Sequence, residues 1–174
     1  MSDVNYPLGY WKDFPGPYPQ LVFADNARGL FAYGVKLKTK GFYGHFMWLI
    51  GPNELASQHW YFQRQKLDYY HNCYLKFVHN PSWSNLERIK ILVAILNDLA
   101  LPCYKTLYDV PGVIGQLFGL DWFNLPGFDF CSERGKYLQE VDSAYDLKYP
   151  NPSELNIWTK NSGRFEVSGR YTPG

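Results

Sequence analysis

The sequence predicts a single domain in which strands and helices are mixed, and three observations carry that reading. The chain of 174 residues is 46% hydrophobic, within the range in which one sizeable core forms. A continuous apolar and aromatic run from His45 to Ile50 closes on Gly51-Pro52-Asn53, the pattern of a buried strand ending in a turn. A third signal is helical: Ser84 and Glu87 make an S-x-x-E capping box, followed by Ile89, Leu92, Val93 and Leu96 at helical spacing until Pro102 ends the run.

The remaining elements follow along the chain. Residues 1–20 are rich in Pro, Gly and Tyr without periodicity, and read as an extended arm docking on the domain or on a partner protein. Residues 21–174 form the domain itself. From Leu21 a short strand, a turn and a short amphipathic helix with Leu30, Phe31 and Val35 inward are expected. A second strand returns from the Gly51 turn, running from Glu54 to about Phe62, and a third spans residues 73–79 before the Asn80-Pro81 break. Residues 103–127 mix Gly, Pro and aromatics in the manner of irregular segments that wall grooves. Cys131 stands at the first turn of a helix expected to reach about Val141, and the tail holds one strand, Arg164 to Val167.

Composition excludes some partners and suggests others. Seventeen basic against sixteen acidic residues give a formal charge of +1, so no global field draws the chain to nucleic acid or to an anionic membrane. Aromatic content is 19%, and such side chains fill cores and line grooves. Cys73, Cys103 and Cys131 are odd in number and lie in no metal-ligand spacing, which fits a reducing compartment; Cys73 and Cys103 read as core, His71 and His79 as solvated. No basic n-region with an apolar stretch opens the chain and no apolar window has transmembrane length, so neither conventional secretion nor membrane spanning is expected; the compartment stays open, cytoplasmic or within a larger particle such as a virion.

The chemistry-bearing residues are Cys131 and His45. A thiol attacks as thiolate, and the unpaired N–H groups of a helix start favour that anion. The same N–H groups, of Cys131 or Ser132, are natural donors to an oxyanion. His45 sits at the mouth of a buried strand, where a rigid scaffold holds a general base. Gly135 within the cysteine helix suggests a close backbone approach to the sheet, and Glu133 a local pair with Arg134 or with a neighbouring loop rather than a part in chemistry.

Several motifs together resemble one family. Tyr43-Gly44-His45-Phe46-Met47-Trp48-Leu49-Ile50-Gly51 is similar to the histidine strand of the circularly permuted NlpC/P60 papain-like proteins, a group that includes YiiX-like and lecithin:retinol acyltransferase-like members. Phe130-Cys131-Ser132-Glu133 resembles its "CSE" box, residues 65–70 with the strand Tyr74–Phe77 its return strand, Pro102-Cys103-Tyr104 its "PY" turn, and Pro152-Ser153-Glu154-Leu155 its "P-x-x-L" segment. The motifs stand in the group's order over residues 20–170. The resemblance implies an α+β, permuted papain-like fold: a small antiparallel sheet with helices on one side.

It also implies a thiol peptidase or amidase that needs no cofactor or metal. Cys131 would be the nucleophile, His45 the base, and a cell-wall (peptidoglycan) peptide link the leading substrate, in a bacteriophage-encoded enzyme. An acyltransferase or lipid-ester hydrolase is the alternative, with segment 113–123 as acyl groove; a degenerate structural or adaptor protein of a phage particle is another. In this group a polar residue about twelve positions after the histidine orients it. That position is Ser57, a poor orienter. Strand alternation places Ser57 and His59 on one face, so a hairpin two residues longer presents His59, the preferred residue, whereas a bulge presents Gln58.

Overall fold

The computed structural model describes residues 4–25, 41–107, 131–147 and 150–174. Six strands form one antiparallel sheet in the order β4-β3-β2-β1-β5-β6. They are β1 (Gln20–Asp25), β2 (His45–Gly51), β3 (Glu54–Gln58), β4 (Phe62–Lys66), β5 (Tyr74–His79) and β6 (Glu166–Tyr171). With its helices this is an α+β architecture. The expected helix bearing Leu30, Phe31 and Val35, and the aromatic segment 113–123, lie outside the described residues.

The central strands are apolar throughout because both sheet faces are covered. Leu21, Phe23, Phe46, Trp48 and Ala56 face a helix layer. That layer comprises α2 (Asn85–Leu99), a 3-10 helix (Ser132–Glu140) and α3 (Pro152–Asn161), which contribute Ile91, Ile95, Tyr137, Leu138 and Leu155. Val22, Ala24, Met47, Leu49, Leu55, Leu75 and Phe77 face the other way. There the N-terminal arm and residues 67–73 cover them.

The arm is therefore not simply extended. It contains α1 (Leu8–Lys12), whose Trp11 is fully buried and stacks on Phe77 at 3.6 Å between ring centroids. Its first residues also pair with β6, Tyr6 N donating to Arg170 O at 2.8 Å. Gly169 makes this docking possible, since a Cβ there would stand 2.7 Å from Tyr6 and 2.9 Å from Trp11.

Several expectations need correction. The second strand does not run to Phe62: it ends at Gln58, bends at His59 and Trp60, and restarts as β4. β4 is an edge strand with exposed polar side chains, so it lacks an apolar signature. Helix α2 is capped as expected by Ser84 and Glu87 but buries a different face. Arg88, Ile91 and Ile95 point inward, while Ile89 and Val93 are 54% and 49% exposed. α2 carries apolar residues all round, and Arg88, donating to Asn80 O at 2.9 Å, belongs to the buried side. The tail holds a helix not anticipated, α3, capped by Asn151 and Glu154 with Pro152 at its first position. Cys73 is buried but Cys103 is exposed. His71 is exposed, whereas His79 is half-buried and bonded to Ser168 Oγ at 2.7 Å. Gly135 does mark a close approach, to Tyr145 and to Leu155 of α3 rather than to the sheet.

Candidate active site

His45 opens β2, pairing with Ala24 of β1, and is buried. Its Nε2 is bonded to Ser57 Oγ at 2.9 Å, from the position twelve residues later. The register explains the contact. Met47 pairs with Ser57, so Ser57 is the diagonal neighbour of His45 on the same face of the β2–β3 ladder. The irregularity in this pairing lies at Leu49 and Gly51, beside the turn, and does not bring Gln58 to this face.

Ser57 and Gln58 consequently part company. Gln58 faces the helix layer, where Nε2 donates to Thr106 O at 2.7 Å and Oε1 accepts from Arg134 Nε at 3.0 Å. Arg134 is itself buried and paired with Asp98; the side chain of Glu133 lies outside the described residues. Tyr137 donates to the same Asp98 oxygen at 2.7 Å, and Trp48 Nε1 donates to Arg134 O at 2.9 Å. These bonds lock the helix 132–140 onto β2, β3 and α2.

On the opposite face the polar chain continues outward. Ser57 Oγ is bonded to Tyr70 Oη at 2.9 Å, and Tyr70 Oη to His59 Nε2 at 2.8 Å. His59 thus lies two hydroxyl groups away from His45, with ring centroids 5.5 Å apart. The residue in direct contact with the His45 ring is Ser57.

Cys131 immediately precedes the helix 132–140 and is buried. The helix is of the 3-10 type and ends at Glu140, close to the expected limit. The thiol lies near enough to Tyr70 that its charge adds to the burial raising the Tyr70 pKa. Tyr70 thus bonds to the histidine chain and feels the charges of Cys131 and Cys73. The backbone N–H of Ser132 belongs to the first helical residue, one of the groups with no partner inside a helix.

Burial, reinforced by the charge of nearby His59, pushes His45 down from 6.5 to about 3, so its ring is neutral. His59 is also lowered by burial, while Gln65 beside it favours its protonated form. Tyr70 remains a phenol.

Sequence reasoning passed over Ser57 on its chemistry although the spacing indicated it, and it did not single out Tyr70 or Arg134. For Tyr70 no local signal exists. Among the described residues no cluster of His, Cys, Asp and Glu could hold a metal ion, and no helix is long and apolar enough to cross a membrane. Compared with protein-family models, curated proteins and solved structures, the chain matches none.

Proposed function

We propose that the chain is a cysteine hydrolase of amide bonds on a permuted papain-like scaffold, with Cys131 as nucleophile and His45 as base. The observation that carries this reading is the 2.9 Å bond to the His45 ring from Ser57, at the twelve-residue spacing the family resemblance implies. Cys131 at the head of a helix locked to β2 supports it.

The chemistry follows from the groups present. The Cys131 thiol gives its proton to His45, and the thiolate attacks the substrate carbonyl. Backbone N–H groups at the helix start, that of Ser132 among them, receive the oxyanion. His45 then passes its proton to the leaving amine, and water, deprotonated by His45, resolves the thioester. A ring lowered to about 3 by burial holds a proton only beside an anion, and the Cys131 thiolate is that anion. Ser57 orients the imidazole. The substrate is a peptide, a bacterial wall cross-link by resemblance, and a virion-borne phage enzyme is the setting that resemblance suggests.

Alkylation tests the nucleophile directly. At neutral pH, where the His45 ring is free to take the thiol proton, iodoacetamide should label buried Cys131 ahead of exposed Cys103, with buried Cys73 last; labelling in order of exposure refutes a thiol activated by His45. Incubation with peptidoglycan fragments and with acyl-lipid esters then separates the substrates. Amine release that Cys131→Ala and His45→Ala abolish is the expected result. Turnover of esters alone moves the assignment to acyl transfer or lipid-ester hydrolysis, and turnover of neither by folded protein moves it to a structural role in a particle.

A further inference from the structure

The outer half of the polar chain has no part in the reaction as described, yet it is hydrogen-bonded end to end, with Tyr70 fully buried and His59 half-buried. Four groups stand in series: His45 Nε2, Ser57 Oγ, Tyr70 Oη and His59 Nε2, joined at 2.9, 2.9 and 2.8 Å. Ser57 and Tyr70 are fully buried. Each hydroxyl owns one proton. A buried hydroxyl held between two partners donates to one and accepts from the other, because leaving its proton unpaired costs about 1–3 kcal/mol. The chain therefore has two polarities. In the first, His45 Nε2–H donates to Ser57, Ser57 to Tyr70, and Tyr70 to an unprotonated His59 Nε2. In the second every bond reverses, and His45 carries its proton on Nδ1.

A neighbour selects between them. Gln65 Oε1 is buried and meets no other partner among the described residues, and Gln65 lies close enough to His59 to favour its protonated form. With His59 Nε2 engaged by Tyr70, the ring nitrogen left to serve this acceptor is Nδ1. A proton on His59 Nδ1 makes Nε2 an acceptor and sets the first polarity. His45 Nδ1 is then the unprotonated nitrogen.

We propose that His59 is a positioning residue that acts through Tyr70 and Ser57 to hold His45 in its Nε2–H tautomer, with Gln65 setting the direction. The proposal rests on the reading of His45 as the base, for which an unprotonated Nδ1 is the atom that accepts the thiol proton. It also gives the site an acid limit. When His59 takes a proton on Nε2, that N–H donates to Tyr70, both hydroxyls turn round, and Ser57 donates to His45 Nε2. The proton of His45 then resides on Nδ1, where it blocks the base. The titratable groups facing His59 are His45 from β2, Tyr69 and Tyr70 from the turn 67–70, and through Tyr70 the Cys131 thiol. Burial holds His45 neutral down to about 3 and Tyr70 is a phenol, so on acidification His59 is the ring of this chain that gains charge first.

The test reads the tautomer directly, without turnover. Side-chain 15N NMR of the full chain at neutral pH should show His45 with Nε2 protonated and Nδ1 bare. On acidification His45 should cross to the Nδ1–H form as His59 gains its second proton. Tyr70→Phe keeps the ring and its packing but cuts the chain, so the crossing should vanish; His59→Asn should abolish it as well, and Gln65→Leu should weaken the neutral-pH preference. A His45 that is Nδ1–H at neutral pH, or one that crosses unchanged in folded Tyr70→Phe protein, overturns the proposal. Kinetics separate this from the parent reading. For an active enzyme, Tyr70→Phe should lower kcat about tenfold with KM little changed and remove the acid limb assigned to His59. Inactive protein with the NMR pattern intact would overturn the hydrolase reading alone.

Discussion

Ser57 and Gln58 are adjacent in one strand, and the networks they join differ in kind. Gln58 meets Arg134, Asp98 and Tyr137 on the helix face; Ser57 meets His45, Tyr70 and His59 on the arm face. Arg134 is permanently charged and donates from a rigid fork, so its network has one arrangement. Every member of the other network is uncharged and can exchange donor for acceptor. The first therefore fixes the helix that Cys131 precedes, and the second can move protons. A strand's alternation has separated a fixed network from a reversible one within two residues.

Removing Arg134 should show the larger effect on stability. Arg134→Ala leaves Gln58 Oε1 without its donor and Asp98 with only the Tyr137 hydroxyl and Lys136 at 3.8 Å, and a loss of about 3 kcal/mol is expected in denaturant unfolding. Arg134→Met, which keeps most of the apolar stem, should recover part of it. A loss under about 1 kcal/mol would remove the distinction between the two networks.

Acid should act chiefly through the uncharged network. His45 binds a proton near 6.5 in the unfolded chain but only near 3 when folded. Between those values the unfolded state holds more protons, so stability is present above about 6.5 and is lost progressively as pH falls toward 3. The limiting slope from one such group is about 1.4 kcal/mol per pH unit. His59 and His79, also lowered by burial, add in the same sense. Unfolding followed between pH 7 and pH 4 should show a shallower slope for His45→Gln than for the parent chain; equal slopes would mean that His45 is not held neutral.

The smallest effect should come from Ser57→Ala. It removes one hydroxyl from between two partners, and about 1 kcal/mol of stability is expected to go with it. Its mark should be on His45: loss of the Nε2 partner shifts the 15N signals even where the unfolding curve barely moves. A cost comparable to Arg134→Ala would make the Ser57 chain as structural as its neighbour.

Some of this was determined by the sequence alone, because local signals suffice for it. The apolar run 45–50, the turn at Gly51, the Ser84 capping box and the helix after Cys131 all state their own geometry within a few residues. Asn151-Pro152-Ser153-Glu154 was an equally local signal for α3, unread because the tail's composition resembled a loop. Tertiary structure alone decided the rest. Which side of α2 is buried depended on Arg88 reaching Asn80, and an apolar surface all round the helix makes periodicity indifferent. Whether Ser57, Gln58 or His59 meets His45 depended on the hairpin register, since one residue of slip exchanges the faces. Tyr70 enters the site from a turn packed under the sheet, where a contact across 13 positions to Ser57 leaves no trace in local pattern. Family resemblance pointed to His45 and Cys131; only the packed chain could show that Ser57 and Tyr70 stand beside that histidine.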